Sequence, residues 1–207
     1  MTPLGLAVVA LFGCPQPERG APQTAVGVTA ARTPENPRAS SQDPNGPDPS
    51  AVGKSAQARL IDREGNVVGK ATLYPVPGGV EVRFEGRGLS PGSRAFHVHE
   101  RGACNPADDF DSAGSHWSPY DREHGLANPE GAHMGDMPNL QVEEDGTAEL
   151  RWVLPGATLQ PEGKTSLLEG DGTALVIHAG PDDHETDPAG GAGDRIACGV
   201  IETAPAS

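Results

Sequence analysis

A chain of 207 residues has room for one domain of ordinary size and a further segment. Its formal net charge of −14 excludes a surface built to bind nucleic acid, because phosphate recognition requires an excess of Lys and Arg. The charge does not exclude a small anionic substrate, since a local positive group can govern a pocket. Short runs of strand-favouring residues lie among 28 Gly and 21 Pro, which favours an all-β domain over a helical bundle.

The first 14 residues have the pattern of an export signal. Leu4–Phe12 is almost wholly apolar, is too short to span a bilayer, and is followed by Gly13 and Cys14. The run resembles a bacterial lipoprotein signal, in which Cys14 is lipidated and becomes the mature N-terminus, although no Lys or Arg precedes it. The alternative is an ordinary cleaved signal with an incidental cysteine. We expect an exported protein of the periplasm or cell envelope, tethered to a membrane by a lipid on Cys14.

Residues 15–54 are predicted to be a disordered tether. The segment is rich in Pro, Gly and Ala and contains no aromatic residue. Such a segment cannot bury enough apolar surface to offset its conformational entropy. The predicted domain therefore comprises residues 55–207.

From Ser55 onward, apolar and polar residues alternate in short runs. In Val80–Glu85 the alternation is regular, which is typical of a strand with one buried face. Turn signals rich in Gly, Pro, Asn and Asp separate the runs. In chain order, the predicted strands are Gln57–Asp62, Val67–Tyr74, Val80–Glu85, Arg94–His99, Ala148–Leu154, Thr173–His178 and Ala197–Ile201.

Two long stretches, Gly102–Pro138 and Ala179–Ile196, lack any such period. Loops of this length in a compact domain are usually functional or disordered. Just before the first of them, His97 and His99 lie two residues apart. Residues two apart in a strand project to the same face, so both imidazoles can reach one metal ion. The alternative is a pair of surface histidines.

The first of these loops contains a more specific set, formed by His116, His124, His133 and Asp136. Three imidazoles and a carboxylate are a suitable tetrahedral set for zinc, and a bound ion would help to order the loop. The alternative is that these are scattered, solvent-facing residues. His178, at the end of a predicted strand, becomes a ligand candidate only in combination with the others.

The chain has three cysteines, of which Cys104 and Cys198 lie within the predicted domain. Their spacing leaves open whether they form a disulfide, which would indicate an oxidising compartment, or remain reduced in the core.

Together these motifs resemble the copper/zinc superoxide dismutase family, and its bacterial exported branch most closely. The resemblance rests on Phe96–Glu100, the ligand spacing in the first loop, Gly135-Asp136, His178 and Gly193–Ile201. It extends from about Ser55 to Ile201. It implies an all-β, immunoglobulin-like, eight-stranded Greek-key β-sandwich or barrel with two long functional loops.

The resemblance also implies a ligand set for each ion, with His116 as a bridge between them. Imidazole suits copper, and a carboxylate favours the harder zinc ion. The implied copper ligands are His97, His99, His116 and His178. The implied zinc ligands are His116, His124, His133 and Asp136.

Beyond the ligands, the resemblance implies supporting roles in the second loop. Asp182 would hydrogen-bond one histidine of each set and fix its orientation, the alternative being a solvated turn. Arg195 would guide an anion to the site with its guanidinium, the alternative being a surface pair with Asp194. His184 has no counterpart among the family's metal ligands and is expected on the surface.

The resemblance implies a Cys104–Cys198 disulfide and an enzymatic function. The expected reaction is disproportionation of superoxide to oxygen and hydrogen peroxide, with His116 and Arg195 as the catalytic residues, which would protect the cell envelope from superoxide. The alternative is a non-catalytic, exported copper- and zinc-binding module. The sequence does not distinguish a monomer from a homodimer.

Overall fold

The computed structural model describes residues 55–205. The predicted signal, Cys14 and the tether in residues 15–54 lie outside this range. The described residues form ten β-strands, and no helix among them is long and apolar enough to cross a membrane. The strands are β1 (Ala56–Asp62), β2 (Val67–Val76), β3 (Gly79–Gly86), β4 (Gly92–Arg94), β5 (Phe96–His99), β6 (Leu140–Val142), β7 (Ala148–Pro155), β8 (Ala174–His178), β9 (Arg195–Val200) and β10 (Glu202–Thr203).

The strands pair antiparallel in one sheet that closes almost completely into a barrel. The strand order is β4-β6-β7-β3-β2-β1-β9-β8-β5, and β10 pairs with β1 outside this path. The strands at the two ends of the order, β4 and β5, are separated in the chain only by Ala95. Because one residue joins the two edge strands, the edges of the sheet must lie side by side. The all-β prediction is confirmed, with ten strands where the resemblance implied eight.

The core follows from the alternation seen in the sequence. Val80, Val82 and Phe84 on β3 are fully or almost fully buried. Across the ladder, Val82 pairs with Trp152 of β7 and packs into the same apolar cluster. Successive side chains of a strand point to opposite faces, so one face of each strand fills the barrel interior.

The predicted strand Arg94–His99 is two strands in the structure. Ala95 interrupts it, since its N–H donates to the carbonyl of Gly180 and its carbonyl accepts from His178 N–H. As a result β4 pairs with β6, whereas β5 pairs with β8. Strands β6 and β10 were not predicted, because three and two residues are too few to display a period.

Candidate metal centre

Three histidines come from two paired strands. His97 and His99 lie on β5, and His178 is the last residue of β8, its neighbour in the sheet. All three side chains are buried. Nε2 of His178 lies 3.4 Å from Nε2 of His99. Backbone hydrogen bonds between the strands therefore hold these imidazoles in fixed relative positions.

The first long loop folds back along the edge of β5 that β8 leaves free. The N–H of Trp117 donates to the carbonyl of Val98, and the N–H of Val98 donates to the carbonyl of Gly135, both at 2.9 Å. Gly135 is needed for this close approach, because a Cβ at this position would collide with the carbonyl oxygen of Val98. The loop is thereby fixed to β5 at two points, and the edge of the strand is covered.

These contacts bring a fourth histidine to the group, since His116 forms an isolated bridge with His99. The ligand atoms of the four histidines all lie within 4.8 Å of one another. We refer to this group as the strand cluster, and it consists of His97, His99, His116 and His178.

The loop also forms a group of its own around a carboxylate. Oδ1 of Asp136 lies 3.2 Å from Nδ1 of His116, 3.1 Å from Nδ1 of His124 and 3.4 Å from Nδ1 of His133. Nδ1 of His133 is 3.4 Å from Nδ1 of His116. Four tetrahedral ligands at zinc bond lengths lie about 3.3 Å apart, so this spacing fits one zinc ion. We refer to His116, His124, His133 and Asp136 as the loop cluster.

The outer ring nitrogens of the strand cluster are occupied by hydrogen bonds. Nδ1 of His99 donates to the carbonyl of Gly114 at 2.9 Å, and Nδ1 of His178 donates to the carbonyl of Gly193 at 3.1 Å. A ring that donates from Nδ1 has its lone pair on Nε2. The two Nε2 atoms that face each other are therefore available to an ion.

Asp182 connects the two clusters. Its Oδ2 accepts from Nε2 of His97 at 2.8 Å, and its Oδ1 accepts from Nε2 of His124 at 2.9 Å. Asp182 is itself only 4% exposed, so the alternative of a solvated turn is excluded. The carboxylate fixes the tautomer of both rings and leaves the Nδ1 of each for an ion.

Four buried side-chain nitrogens have no hydrogen-bond partner among the described residues, and two of them are Nδ1 of His97 and Nε2 of His116. A buried polar atom without a partner is costly. Both atoms belong to the strand cluster, and a metal ion would satisfy both. His116 places its Nδ1 in the loop cluster and its Nε2 in the strand cluster, so the ring joins them.

Burial and charge separate the two clusters electrostatically. Burial lowers the pKa of His97 to about 3 and that of His178 to about 4, and holds the pKa of His99 well below its usual value. Burial also opposes protonation of His124, but hydrogen bonds to Asp136 and Asp182 outweigh it and raise its pKa to about 9. The strand cluster thus favours neutral imidazoles, the form that binds metal ions.

Arg195 lies beside the strand cluster. Its guanidinium donates to the carbonyl of Phe110 at 2.6 Å and to that of Gly114 at 2.7 Å. Gly114 is also the acceptor for His99, so one carbonyl fixes both side chains. Among the described ion pairs, Asp194 lies 4.0 Å from Arg63 rather than against Arg195. The surface pair that was the alternative for Arg195 is therefore not formed.

Comparison with known proteins agrees with this geometry. The model of the family described as Copper/zinc superoxide dismutase (SODC) matches residues 67–201. Superoxide dismutase (Cu-Zn) 2 of Aquifex aeolicus is 51% identical over 147 residues, which are 70% of this chain and 85% of the relative. The chain belongs to the copper/zinc superoxide dismutase family.

Solved structures of this family share the fold. A superoxide-dismutase-like protein from Bacillus subtilis is 38% identical, with a TM-score of 0.67 over 70% of this chain and 97% of its own. The Cu/Zn superoxide dismutase from Brucella abortus is 31% identical, with a TM-score of 0.57 over 72% of this chain and all of its own. The barrel with its two long loops is therefore the fold of the family.

The family's disulfide is present as the resemblance implied. Cys104 and Cys198 are bonded across a sequence separation of 94 residues, with their Cα atoms 5.6 Å apart. The bond joins the first long loop to β9, which pairs with β8. It therefore ties the loop that supplies the loop cluster to the part of the barrel that supplies His178.

One expectation about the site was wrong. His184 was expected on the surface, but it is only 8% exposed and its Nδ1 lies 3.2 Å from Oδ2 of Asp182. Asn139, which bonds both of these residues, was not singled out at all. Neither residue lies at ligand spacing in the sequence, and the turn that brings them together depends on contacts between separate loops.

Proposed function

We propose that this chain disproportionates two superoxide anions, with two protons, to oxygen and hydrogen peroxide. Copper would be held by the strand cluster and zinc by the loop cluster. When bound, copper supplies the one-electron redox couple, and zinc supplies a fixed positive charge. The observation that carries the proposal is the position of His116, which belongs to both clusters and whose Nε2 is buried without a partner.

His116 is proposed to hold and return one of the two protons that the peroxide product requires. The proton resides at Nε2, on the side of the strand cluster. Nδ1 remains among the loop cluster, 3.2 Å from Oδ1 of Asp136, and so keeps the ring in place during the transfer. A histidine suits this task because its pKa is easily set near neutral pH by its surroundings.

Arg195 is proposed to dock the anion beside the strand cluster. A chain with a net charge of −14 repels superoxide at long range. A local positive charge must therefore dominate at the entrance to the site. The guanidinium remains charged at any working pH, and its two carbonyl contacts hold it in a fixed orientation.

We also propose that the protein acts outside the cytoplasm, where it protects the cell envelope from superoxide, and that Cys14 anchors it through a lipid. The signal-like pattern of the first 14 residues supports export. The Cys104–Cys198 bond supports an oxidising compartment such as the periplasm. Metabolic labelling with a fatty acid, compared between the natural chain and Cys14→Ser, tests the anchor.

The function is tested on the full chain, loaded with copper and zinc and assayed for superoxide consumption and metal content together. We expect activity to rise in proportion to copper content. Full occupancy by both ions without turnover would instead support the alternative of a non-catalytic, exported metal-binding module. Light scattering on the same sample measures whether the protein is a monomer or a homodimer.

A further inference from the structure

Hydrogen bonds of known direction determine which ring nitrogen of His184 carries the proton. The backbone N–H of Asp182 donates to Oδ1 of Asn139 at 2.8 Å, so Nδ2 of the same amide is a donor. Nδ2 lies 2.8 Å from the carbonyl of Asp182 and 3.2 Å from Nε2 of His184. Nε2 of His184 therefore accepts, which requires a neutral ring with its proton on Nδ1.

Nδ1 of His184 lies near the carboxylate that connects the two clusters. Nδ1 of His184 lies 3.2 Å from Oδ2 of Asp182 and has no well-aligned hydrogen-bond partner among the described residues. The backbone N–H of His184 donates to Oδ1 at 2.7 Å. Oδ1 thus accepts from His124 and from the backbone N–H of His184, whereas Oδ2 accepts from His97 and has Nδ1 of His184 within 3.2 Å.

The backbone of His184 also joins the second loop to the loop cluster. The residue has φ of 62°, in the left-handed region, and its carbonyl accepts from the N–H of Ala127 at 3.0 Å. Gly125 leaves room for that carbonyl, since a Cβ at this position would collide with it. Both contacts are made within three residues of His124. The side chain of His184 is thus linked to His124 through Asp182, and its backbone carbonyl contacts the segment that follows His124.

We propose that His184 is a positioning residue, which fixes the orientation of Asp182 and thereby holds His97 and His124 at the spacing their ions require. The proposal rests on the proposed function for the identity of the two ions. A change at His184 should affect both clusters, because Asp182 bonds one histidine of each, His97 and His124.

The first test measures the tautomer directly. The full chain, labelled with ¹⁵N and loaded with zinc and copper(I), is diamagnetic, and long-range ¹⁵N–¹H correlations report which nitrogen of each histidine is protonated. We expect His184 to be neutral with its proton on Nδ1. A proton on Nε2, or on both nitrogens, would overturn the proposal.

The second test uses two substitutions of His184. His184→Leu removes both ring nitrogens, whereas His184→Asn retains a short donor and tolerates a positive φ. In the Leu variant we expect zinc affinity to fall by about 10- to 100-fold, as is usual when the partner of a ligand is lost. We also expect its copper(II) EPR spectrum to change. The Asn variant should recover most of the zinc affinity and most of the natural EPR spectrum. Glu185→Gln, at an exposed neighbouring position, should match the natural chain in both measurements.

The outcomes separate positioning from packing. A Leu variant that melts at a lower temperature but keeps its zinc affinity and EPR spectrum would show that His184 only fills space. If the Leu variant does not fold, the tautomer measurement decides. A natural chain that binds both ions but does not consume superoxide would overturn the proposed function, while the binding and EPR comparisons remain valid.

Discussion

The strand cluster and the loop cluster reach similar ligand spacing by different means. Three of the four residues of the strand cluster lie on β5 and β8, whose pairing sets their positions. All four residues of the loop cluster lie between β5 and β6. There Asp136 organises the group, since it contacts three imidazoles and accepts from the N–H groups of Gly125 and His133. The barrel preorganises the first cluster, whereas one carboxylate and its ion must organise the second.

The largest effect that separates the clusters is expected for Asp136→Asn. The substitution keeps the shape of the side chain but removes the anionic ligand, so zinc affinity should fall by about 100-fold or more. Copper affinity should fall far less, because β5 and β8 are unaffected. Competition with a chelator measures both affinities, and Asp121→Asn, in an exposed part of the same loop, is the matched control. Equal losses of zinc and copper affinity would refute the view that Asp136 organises only the loop cluster.

Loss of the disulfide should lower stability rather than remove either ion. The bond spans 94 residues, and closing a loop of this length contributes about 4–5 kcal/mol in the chain-entropy model. We expect the double variant Cys104→Ser/Cys198→Ser to lose up to about 4 kcal/mol in urea unfolding without metal. Making the variants in a Cys14→Ser background leaves no thiol to form a wrong pair. A loss no larger than that of Cys14→Ser alone would contradict this expectation.

The sequence predicted the ligands of both clusters better than it predicted the residues around them. The ligand spacing was visible because it lies along one strand or within one loop, as with His97 and His99. The long strands were visible as alternation. The burial of His184 was not visible, because its partner Asn139 is 45 residues away and His184 itself lies in a loop without a period. The break at Ala95 was hidden for a similar reason, since the carbonyl of Gly180 that causes it lies in another loop.

A smaller effect, confined to the strand cluster, is expected for Arg195→Gln. Removal of the charge beside His99 should lower kcat/KM about 10-fold at low ionic strength and weaken its dependence on salt. Both ions should remain bound. The kcat/KM of Arg195→Lys should lie between those of the natural chain and Arg195→Gln, because Lys keeps the charge but not the fork of donors. Arg101→Gln changes the net charge equally at an exposed site, and an equal loss in that variant would refute a specific role for Arg195.

The last expected effect is a pH profile of the metal-free protein, whose two limbs should report on different clusters. The folded pKa values of His97 and His178, about 3 and 4, lie below the usual 6.5. The unfolded chain therefore binds more protons below pH 6.5, so stability should fall as pH drops from 6.5 towards 4. The folded pKa of His124, about 9, lies above 6.5, so its contribution is complete below pH 6.5 and is lost as pH rises towards 9.

The melting temperature of the metal-free chain should therefore be highest near pH 6.5, where neither limb has begun. His178→Gln should flatten the acid limb only, because it removes a histidine that is buried in its neutral form. His124→Gln should flatten the alkaline limb only, since it removes the cation that Asp136 and Asp182 stabilise. If either variant flattened both limbs, the two clusters would titrate as one unit through His116. The distinction between a cluster preorganised by strands and one organised by a carboxylate would then apply to their structure but not to their electrostatics.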